Sequence, residues 1–297
     1  MGGTKQQLGV VTMAYQDYFF LQRWYDYYCA QVGSRNLFVF SHGNDPRHRD
    51  IAQGANVINL PRDATMFKFD RRRWRMLGHF ASGMLEFYDW MIVADVDEIV
   101  IVDPGVSRTL GEHMSNVYGS RETAPRNISP LCLELIHRPD LEPLAITPDA
   151  TILSRRRIFR PNRNYSKPCL VGAPVAFGPG GHRNTLGPRH LPDDLYTLHL
   201  KFFDRDTMER VASARRHLVQ EAERAGAQPD GINTWNNTIR AYEAIVAQTT
   251  LDGENIALPE LRAAMARQYP KYTDQYLWGP ATTDKLYRIP ERFADTF

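Results

Sequence analysis

Two apolar runs separated by three carboxylates constrain the fold of this 297-residue chain more than any other segment. Residues 91–94 form an apolar run typical of a strand buried on both faces, and residues 99–102 form a second one. Asp95, Asp97 and Glu98 lie between them. Charges in such a place are costly unless something compensates them.

Asp95 and Asp97 are two positions apart, and residues two apart in a strand point to the same face. Two ionised carboxylates on one face repel each other, and a divalent cation would relieve that repulsion. Oxygen ligands suit Mg²⁺ or Mn²⁺. The alternative is an ordinary turn or helix cap, but the apolar run before Asp95 favours the metal site.

The composition excludes several classes of protein. A hydrophobic content of 43% and a charged content of 24% are typical of a soluble globular chain, and a net charge of +2 argues against nucleic acid as the main partner. The three cysteines are widely spaced, which fits neither a zinc motif nor a disulfide framework and predicts a reducing compartment. With no apolar run near the ~18 residues of a membrane span and no signal peptide, we expect a cytoplasmic protein. Peripheral contact with the inner face of the membrane stays open.

The first hundred residues alternate between predicted strands and helices, which indicates a parallel sheet covered by helices. Strands are predicted at residues 8–13, 36–41, 55–60 and 91–94, with helices at residues 18–30 and 65–88. Ligands of such sheets bind beyond the carboxyl ends of the strands. Thr12, Asp45 and the acids of residues 95–98 are therefore expected at one edge of the sheet.

The remainder of the chain is less regular. Strands are predicted at residues 131–137, 150–153, 168–175 and 195–203, and helices at residues 107–117, 206–225, 231–248 and 259–268. Glu134 and His199 stand within their strands, Lys167 ends a basic, turn-rich segment, and His182 follows a glycine-rich loop.

A change in composition at residue 204 predicts two domains, residues 1–203 and a helical C-terminal extension of residues 204–297. Arginine clusters at residues 71–75 and 155–157 are interpreted as solvated surface, with local phosphate contact as the alternative.

Several of these segments together resemble the family-two-like glycosyltransferases of the Asp-x-Asp-Glu branch. The resemblance rests on the first strand, the His-Gly-Asn-Asp turn at residues 42–45 and the Asp-Val-Asp-Glu segment at residues 95–98. Trp24, Tyr25 and Tyr28 on the first helix add to it, and past residue 150 it is weaker. The resemblance implies an α/β, GT-A-like (Rossmann-like) fold with a mixed, mostly parallel sheet flanked by helices. It also implies transfer of a sugar from a nucleotide-diphosphate sugar donor to a glycan or glycolipid acceptor.

The same resemblance implies a site for Mn²⁺ or Mg²⁺. Asp97 would be the direct ligand, Asp95 would reach the metal or the ribose, and His199 would be a third ligand, unless it is a core histidine. Contacts with the nucleotide-sugar would come from Thr12, Asp45, Arg75, Asp95 and Lys167. Arg75 as a solvated helix residue is the alternative.

An inverting enzyme also needs a general base beside the acceptor hydroxyl. Glu98, Glu134 and His182 are the candidates. Glu98 is favoured by its position next to the metal site, and Glu134 gains if Glu98 faces away from Asp97. A retaining enzyme needs no such base, and the sequence leaves both mechanisms open.

Two other functions also stay open. Asp95 and Asp97 resemble the nucleophile and the acid/base of haloacid-dehalogenase-type phosphatases, although that motif normally lies on the first strand and precedes a Gly-Thr turn. A non-catalytic nucleotide-sugar-binding protein would use the same residues without transfer.

Overall fold

The computed structural model describes residues 6–62, 67–119, 124–224, 226, 237–252, 256–268, 276–280 and 283–297. Its strands are, in chain order, β1 (Gln6–Ala14), β2 (Leu37–His42), β3 (Asn56–Leu60), β4 (Tyr88–Val93), β5 (Glu98–Val102), β6 (Asn127–Ile128), β7 (Leu131–Ile136), β8 (Ile158–Pro161), β9 (Leu170–Val171), β10 (Leu195–Phe202), β11 (Thr250–Leu251), β12 (Ala266–Gln268), β13 (Tyr276–Trp278) and β14 (Lys285–Arg288). Its helices are α1 (Tyr18–Val32), α2 (Pro46–Ile51), α3 (Phe69–Met84), α4 (Leu110–Tyr118), α5 (Arg205–Arg224), α6 (Thr238–Gln248) and α7 (Leu258–Met265).

The first sheet has the strand order β3-β2-β1-β4-β9-β6. β1 pairs in parallel with β2 and with β4, and β2 pairs in parallel with β3. β9 then joins β4 in the antiparallel direction. The predicted parallel sheet and its four strands are confirmed. β1, β2 and β4 are mostly buried apolar runs, whereas β3 at the edge of the sheet is only partly buried.

Helices cover both faces of this sheet. Alternate residues of β1 face opposite ways, so that Val10 packs in one apolar cluster with Trp24 of α1 and Val11 packs in another with Trp74 of α3. The sheet therefore lies between α1 and α3, a mixed α/β arrangement of the kind that the alternating pattern indicates.

The second sheet has the order β11-β14-β8-β7-β10-β5 and is mixed. β10 pairs in parallel with β7 and antiparallel with β5. β4 and β5 follow each other in the chain but belong to different sheets, so the four residues between them carry the backbone from one sheet to the other.

Two predicted strands differ from the structure. Residues 150–153 form bends and a turn. Arg155 and Arg156 both donate their backbone N–H to the Ile152 carbonyl, so this hydrogen bonding is made within the segment and not to a neighbouring strand. The strand predicted at residues 168–175 is reduced to the two residues of β9. The helix predicted to start at residue 65 begins at Phe69, and residues 63–66 lie outside the described part.

Among the described residues beyond residue 204, the chain forms the helices α5 to α7, and it also contributes strands to the second sheet. β14 pairs with β8, and β11 pairs with β14. Phe293 and Phe297 are buried in the same apolar cluster as Trp24. The domain boundary at residue 204 stays a prediction.

The arginine cluster at residues 155–157 is not the solvated face that the sequence suggested. Arg156 is buried and donates through Nη2 to Asp204 Oδ2 at 2.8 Å. The other carboxylate oxygen of Asp204 accepts from the backbone N–H of Thr207 at 2.9 Å, in the first turn of α5. One carboxylate therefore both caps α5 and compensates a buried arginine.

We expect Asp204→Ala to destabilise the protein more than Asp204→Asn. Removal of one partner from a buried ion pair costs about 3–5 kcal/mol, and loss of a helix cap costs about 1 kcal/mol. Asparagine keeps a side-chain oxygen for the cap and loses only the charge. Urea unfolding of the wild type and both variants measures this order, and equal stability of the two variants would contradict the dual role.

The contribution of Asp204 to the free energy of unfolding should also depend on pH. Burial raises the pKa of this carboxyl, but the hydrogen bonds from Thr207 and Arg156 outweigh burial and lower the pKa below its ordinary value. A group whose pKa is depressed by folding stabilises the fold above its unfolded pKa of about 3.9, and this contribution declines as the pH falls below it. The difference in unfolding free energy between wild type and Asp204→Asn should therefore shrink from pH 6 to about pH 3. If this difference in unfolding free energy stayed constant with pH, the ion pair of Asp204 with Arg156 would not be its source.

Candidate functional site

The acidic segment at residues 95–98 is a turn that links the two sheets. The backbone N–H of Glu98 donates to the Asp95 carbonyl at 3.0 Å, so the chain reverses between β4 and β5. The expectation that Asp95 and Asp97 share one strand face is therefore wrong, because neither residue lies in a strand. The turn directs the acids to different partners.

Asp95 is held by two cations. Its Oδ1 lies 2.6 Å from Nη1 of Arg73, and its Oδ2 lies 3.2 Å from Nζ of Lys167. Burial opposes ionisation of Asp95, but Arg73 and Lys167 outweigh it and lower the pKa of this carboxyl well below its usual range. Asp95 is thus a fixed anion.

Lys167 also bridges to the far end of the turn. Its Nζ lies 2.6 Å from Oε1 of Glu98, and both side chains are buried. Burial raises the pKa of Glu98 to about 7, with a further increase from Asp95, although Lys167 acts in the opposite direction. The lysine, which the sequence suggested for phosphate binding, compensates two acids of the turn in this structure.

Three titratable residues lie side by side on neighbouring strands of the second sheet. His199 of β10 is in register with Glu98 of β5 on one side and with Glu134 of β7 on the other. His199 Nδ1 lies 3.0 Å from Glu134 Oε1. Arg160 and Asn162 both donate to Glu134 Oε2, at 2.7 and 3.1 Å.

Both oxygens of Glu134 are therefore engaged. Burial raises the pKa of this carboxyl, but the hydrogen bond from His199 and the charge of Arg160 lower it to about 2. Only 1% of Glu134 is exposed, so an acceptor hydroxyl has no open path to it.

Asp97, Glu98 and His199 form a group that can hold a metal. Each offers one ligand atom, and the three atoms lie within 4.8 Å of one another. Asp97 and His199 were predicted ligands, whereas Asp95, the third predicted ligand, is engaged by Arg73 and Lys167. Two carboxylates and an imidazole are a donor set that suits Mn²⁺, and Mg²⁺ prefers oxygen ligands alone.

The predicted nucleotide contacts are spread along the first sheet. Thr12 is fully buried in β1, and its hydroxyl has no hydrogen-bond partner among the described residues. Asp45 caps α2 through the backbone N–H of Arg47 and accepts from the hydroxyl of Tyr18 at 2.6 Å. Asp45 therefore has a structural role in this state.

Arg75 lies exposed on α3, and the arginine that reaches the acidic turn is Arg73. The signal for Arg73 was present in the helical spacing. Arg73 shares one stripe of α3 with Leu77 and Ala81, which are four and eight residues further on and are buried. The guanidinium also lies over the ring of Trp74, 5.4 Å from its centroid.

The glycine-rich loop before His182 is a short 3-10 turn docked onto α3. The backbone N–H of Gly180 donates to Asp70 Oδ2 at 2.7 Å. Gly181 has φ +69°, and a Cβ there would overlap the ring of Trp74. His182 Nδ1 lies 2.5 Å from the Asn164 carbonyl, and burial and the charge of Lys167 lower the pKa of this imidazole.

Tyr165, which the sequence did not single out, connects the two histidines. Its ring stacks on His199 at a centroid distance of 3.7 Å and meets His182 edge-on at 5.9 Å. Its pKa is raised by burial and by the nearby charges of Glu98 and Glu134. No spacing in the sequence pointed to this contact, because Tyr165 lies in a turn-rich segment.

Backbone strain collects at the carboxyl edge of the first sheet. Among the described residues, the non-glycine positions with positive φ are Gln16, Asn44 and Lys68, which follow β1, β2 and β3. Tyr15 and His42 pack against each other at the same edge, and the guanidinium of Arg62 lies 4.3 Å from the Tyr15 ring centroid. Such residues cluster at sites where geometry serves binding or catalysis.

A small cleft lies beside Asp97. Its lining is mostly apolar and comes from α1, α5 and the start of α6, with one cation; the residues are Phe20, Asp97, Lys201, Met208, Val211, Ala212 and Thr238. In the described ranges, no helix combines the length and apolar character that a membrane crossing requires.

Comparison with known proteins gives little. No family model and no curated protein matches this chain. One solved structure that is similar over 97% of this chain and 76% of its own is the crystal structure of mannose-1-phosphate geranyltransferase from Thermus thermophilus. Its identity to this chain is 14% and its TM-score is 0.28, too low to support a conclusion about fold or activity.

We expect Lys167→Met to destabilise the protein by about 3–5 kcal/mol, because it leaves Asp95 and Glu98 buried without their shared cation. Glu98→Gln should offset part of that loss in the double variant, since the uncompensated charge is then removed. Guanidinium unfolding of the wild type, both single variants and the double variant yields the coupling energy. Strictly additive losses would show that the 2.6 Å contact contributes nothing to stability.

Proposed function

We propose that this protein is a metal-dependent glycosyltransferase with a GT-A-like fold. It would transfer a sugar from a nucleotide-diphosphate sugar to a glycan or glycolipid acceptor. The observation that carries the proposal is the group of Asp97, Glu98 and His199, which lies where the parallel sheet meets the second sheet.

The position of this group supports a nucleotide-sugar as the ligand. In open α/β sheets, ligands bind beyond the carboxyl ends of the strands, and residues 94–97 follow β4 at that edge. The strained loops after β1 and β2 lie at the same edge, where the rings of Tyr15 and His42 pack against each other. Thr12 and Asp45 stay predicted contacts of the nucleoside.

The chemistry of the reaction also matches the residues. The nucleoside diphosphate gains negative charge as the bond to the sugar breaks, and a bound Mn²⁺ or Mg²⁺ would stabilise that charge. Arg73 and Lys167 fix Asp95, and through it the shape of the acidic turn, before any ligand arrives. A preorganised turn needs no rearrangement in the transition state.

His182 is the best candidate for the general base among the three predicted residues. Glu134 has both oxygens engaged, and Glu98 is buried against Lys167. His182 lies at the surface with a partly buried ring, and its Nδ1–H donates to the Asn164 carbonyl, which leaves Nε2 with a free electron pair. Its lowered pKa keeps the imidazole neutral near pH 7, as a base requires.

Calorimetry with uridine and guanosine diphosphates tests the proposal. One of them should bind only with Mn²⁺ or Mg²⁺ present, and Asp97→Asn should abolish the metal-dependent part. Glu86→Ala, which removes an exposed carboxylate before β4, is the matched control and should bind like the wild type. Binding that ignores the metal and survives Asp97→Asn would refute the metal-dependent transferase.

The two rival functions give different results in the same preparation. A phosphatase of the haloacid-dehalogenase type would form a stable complex of Asp95 with beryllofluoride. A binding protein would take up the nucleotide-sugar but would not hydrolyse it during long incubation with metal. A transferase should hydrolyse its own donor slowly, and His182→Gln should reduce that rate without loss of nucleotide binding.

A further inference from the structure

Glu134 is buried beside a proposed metal ligand, but both of its oxygens are occupied by neighbouring side chains. It therefore cannot serve as the base that the sequence suggested. The contacts around its carboxylate define another role, which depends on the arrangement of donors.

Two donors converge on Oε2 of Glu134. Arg160 Nε and Asn162 Nδ2 are both donors and both point to this oxygen, at 2.7 and 3.1 Å. An arginine nitrogen carries hydrogen at every ordinary pH. The position of Oε2 can therefore be filled only by an acceptor.

Oε1 of Glu134 faces His199. The carboxylate forms an ion pair with the permanently charged guanidinium of Arg160, and an ionised carboxylate only accepts hydrogen bonds. Nδ1 of His199, 3.0 Å from Oε1, must then be the protonated nitrogen. In the neutral imidazole the other nitrogen, Nε2, keeps its electron pair.

The neighbours of His199 also fix the orientation of its imidazole ring. Tyr165 stacks on it at 3.7 Å with an interplanar angle of 20°, which hinders rotation of the imidazole. His199 is also fixed between β5 and β7 by backbone pairing on both sides. The ring thus has one orientation and one tautomer.

We propose that Glu134 is a positioning residue that holds His199 as the Nδ1–H tautomer, with Nε2 free to bind the divalent cation together with Asp97 and Glu98. The relevance of this tautomer to the metal rests on the proposed function, but the tautomer itself does not. Carboxylate partners of metal-binding histidines act in this way, and their loss typically weakens metal binding by about 10–100-fold.

The arrangement makes a sharp prediction for the isosteric variant Glu134→Gln. Arg160 and Asn162 still require an acceptor at their position, so the amide oxygen faces them and the NH₂ group faces His199 Nδ1. Nδ1 then becomes the acceptor and Nε2 carries the proton. The variant has nearly the same shape as the wild type, but its histidine presents the wrong nitrogen to a metal.

The test is nitrogen NMR of the metal-free full chain labelled with ¹⁵N-histidine, at a pH above which the spectrum no longer changes. His199, one of nine histidines, is assigned from the signals lost in His199→Gln. We expect protonated Nδ1 in the wild type and protonated Nε2 in Glu134→Gln. Protonated Nε2 in the wild type would overturn the proposal. The wild-type spectrum tests the tautomer even if the variant fails to fold.

Binding of Mn²⁺, followed by electron paramagnetic resonance, is the second readout. Glu134→Gln should bind Mn²⁺ about 10–100-fold more weakly than the wild type. Arg160→Lys is the matched control, because it alters a contact of the same carboxylate but keeps a cationic donor beside it, so that Glu134 stays charged and His199 keeps its tautomer. It should bind Mn²⁺ nearly as the wild type does.

The outcomes separate the two proposals. Equal weakening by Glu134→Gln and Arg160→Lys would overturn the positioning role in favour of a general structural one. The expected tautomers without Mn²⁺ binding in the wild type would support the role of Glu134 toward His199 and refute the metal-dependent transferase.

Discussion

The structure depends on the compensation of charge in one turn between two sheets. Residues 95–98 carry three carboxylates across the joint between β4 and β5, where burial makes unpaired charges costly. Arg73 from α3 and Lys167 from the segment before β9 offset two of them. The helix, the turn and the later segment must therefore come together as one unit, because each leaves a buried charge unpaired without the others.

The second sheet serves the same site as a rigid support. Its register aligns Glu98, His199 and Glu134 across three neighbouring strands, and strand pairing fixes their spacing more firmly than a loop would. The acids of the turn then meet a histidine whose own orientation is fixed from behind. In the proposed function, one sheet would supply the edge at which a nucleotide binds, and the other would supply groups that hold a cation.

Much of the first sheet could be predicted, because most of its strands are apolar runs and because strands and helices alternate along this part of the chain. The proximity of Asp97 to His199 was expected from the resemblance to the glycosyltransferases and not from strand placement, since Asp97 lies in a turn. The pairing of Asp95 with Lys167 was not predictable, since the partners are 72 residues apart and no local pattern records that contact.

The turn at residues 95–98 was mistaken for strand because apolar runs on both sides hide the change of sheet. Arg75 was chosen over Arg73 because the cluster was judged by charge and not by its position relative to Leu77.

The central claim is that the acidic turn and His199 form a metal site for a nucleotide. Crystals grown with MnCl₂ and either uridine or guanosine diphosphate, measured at the manganese absorption edge, test it most directly. We expect an anomalous peak in contact with Asp97 and Nε2 of His199, with the diphosphate bound to the same ion. A nucleotide bound elsewhere, or an anomalous map without a peak beside Asp97 at saturating Mn²⁺, would contradict it.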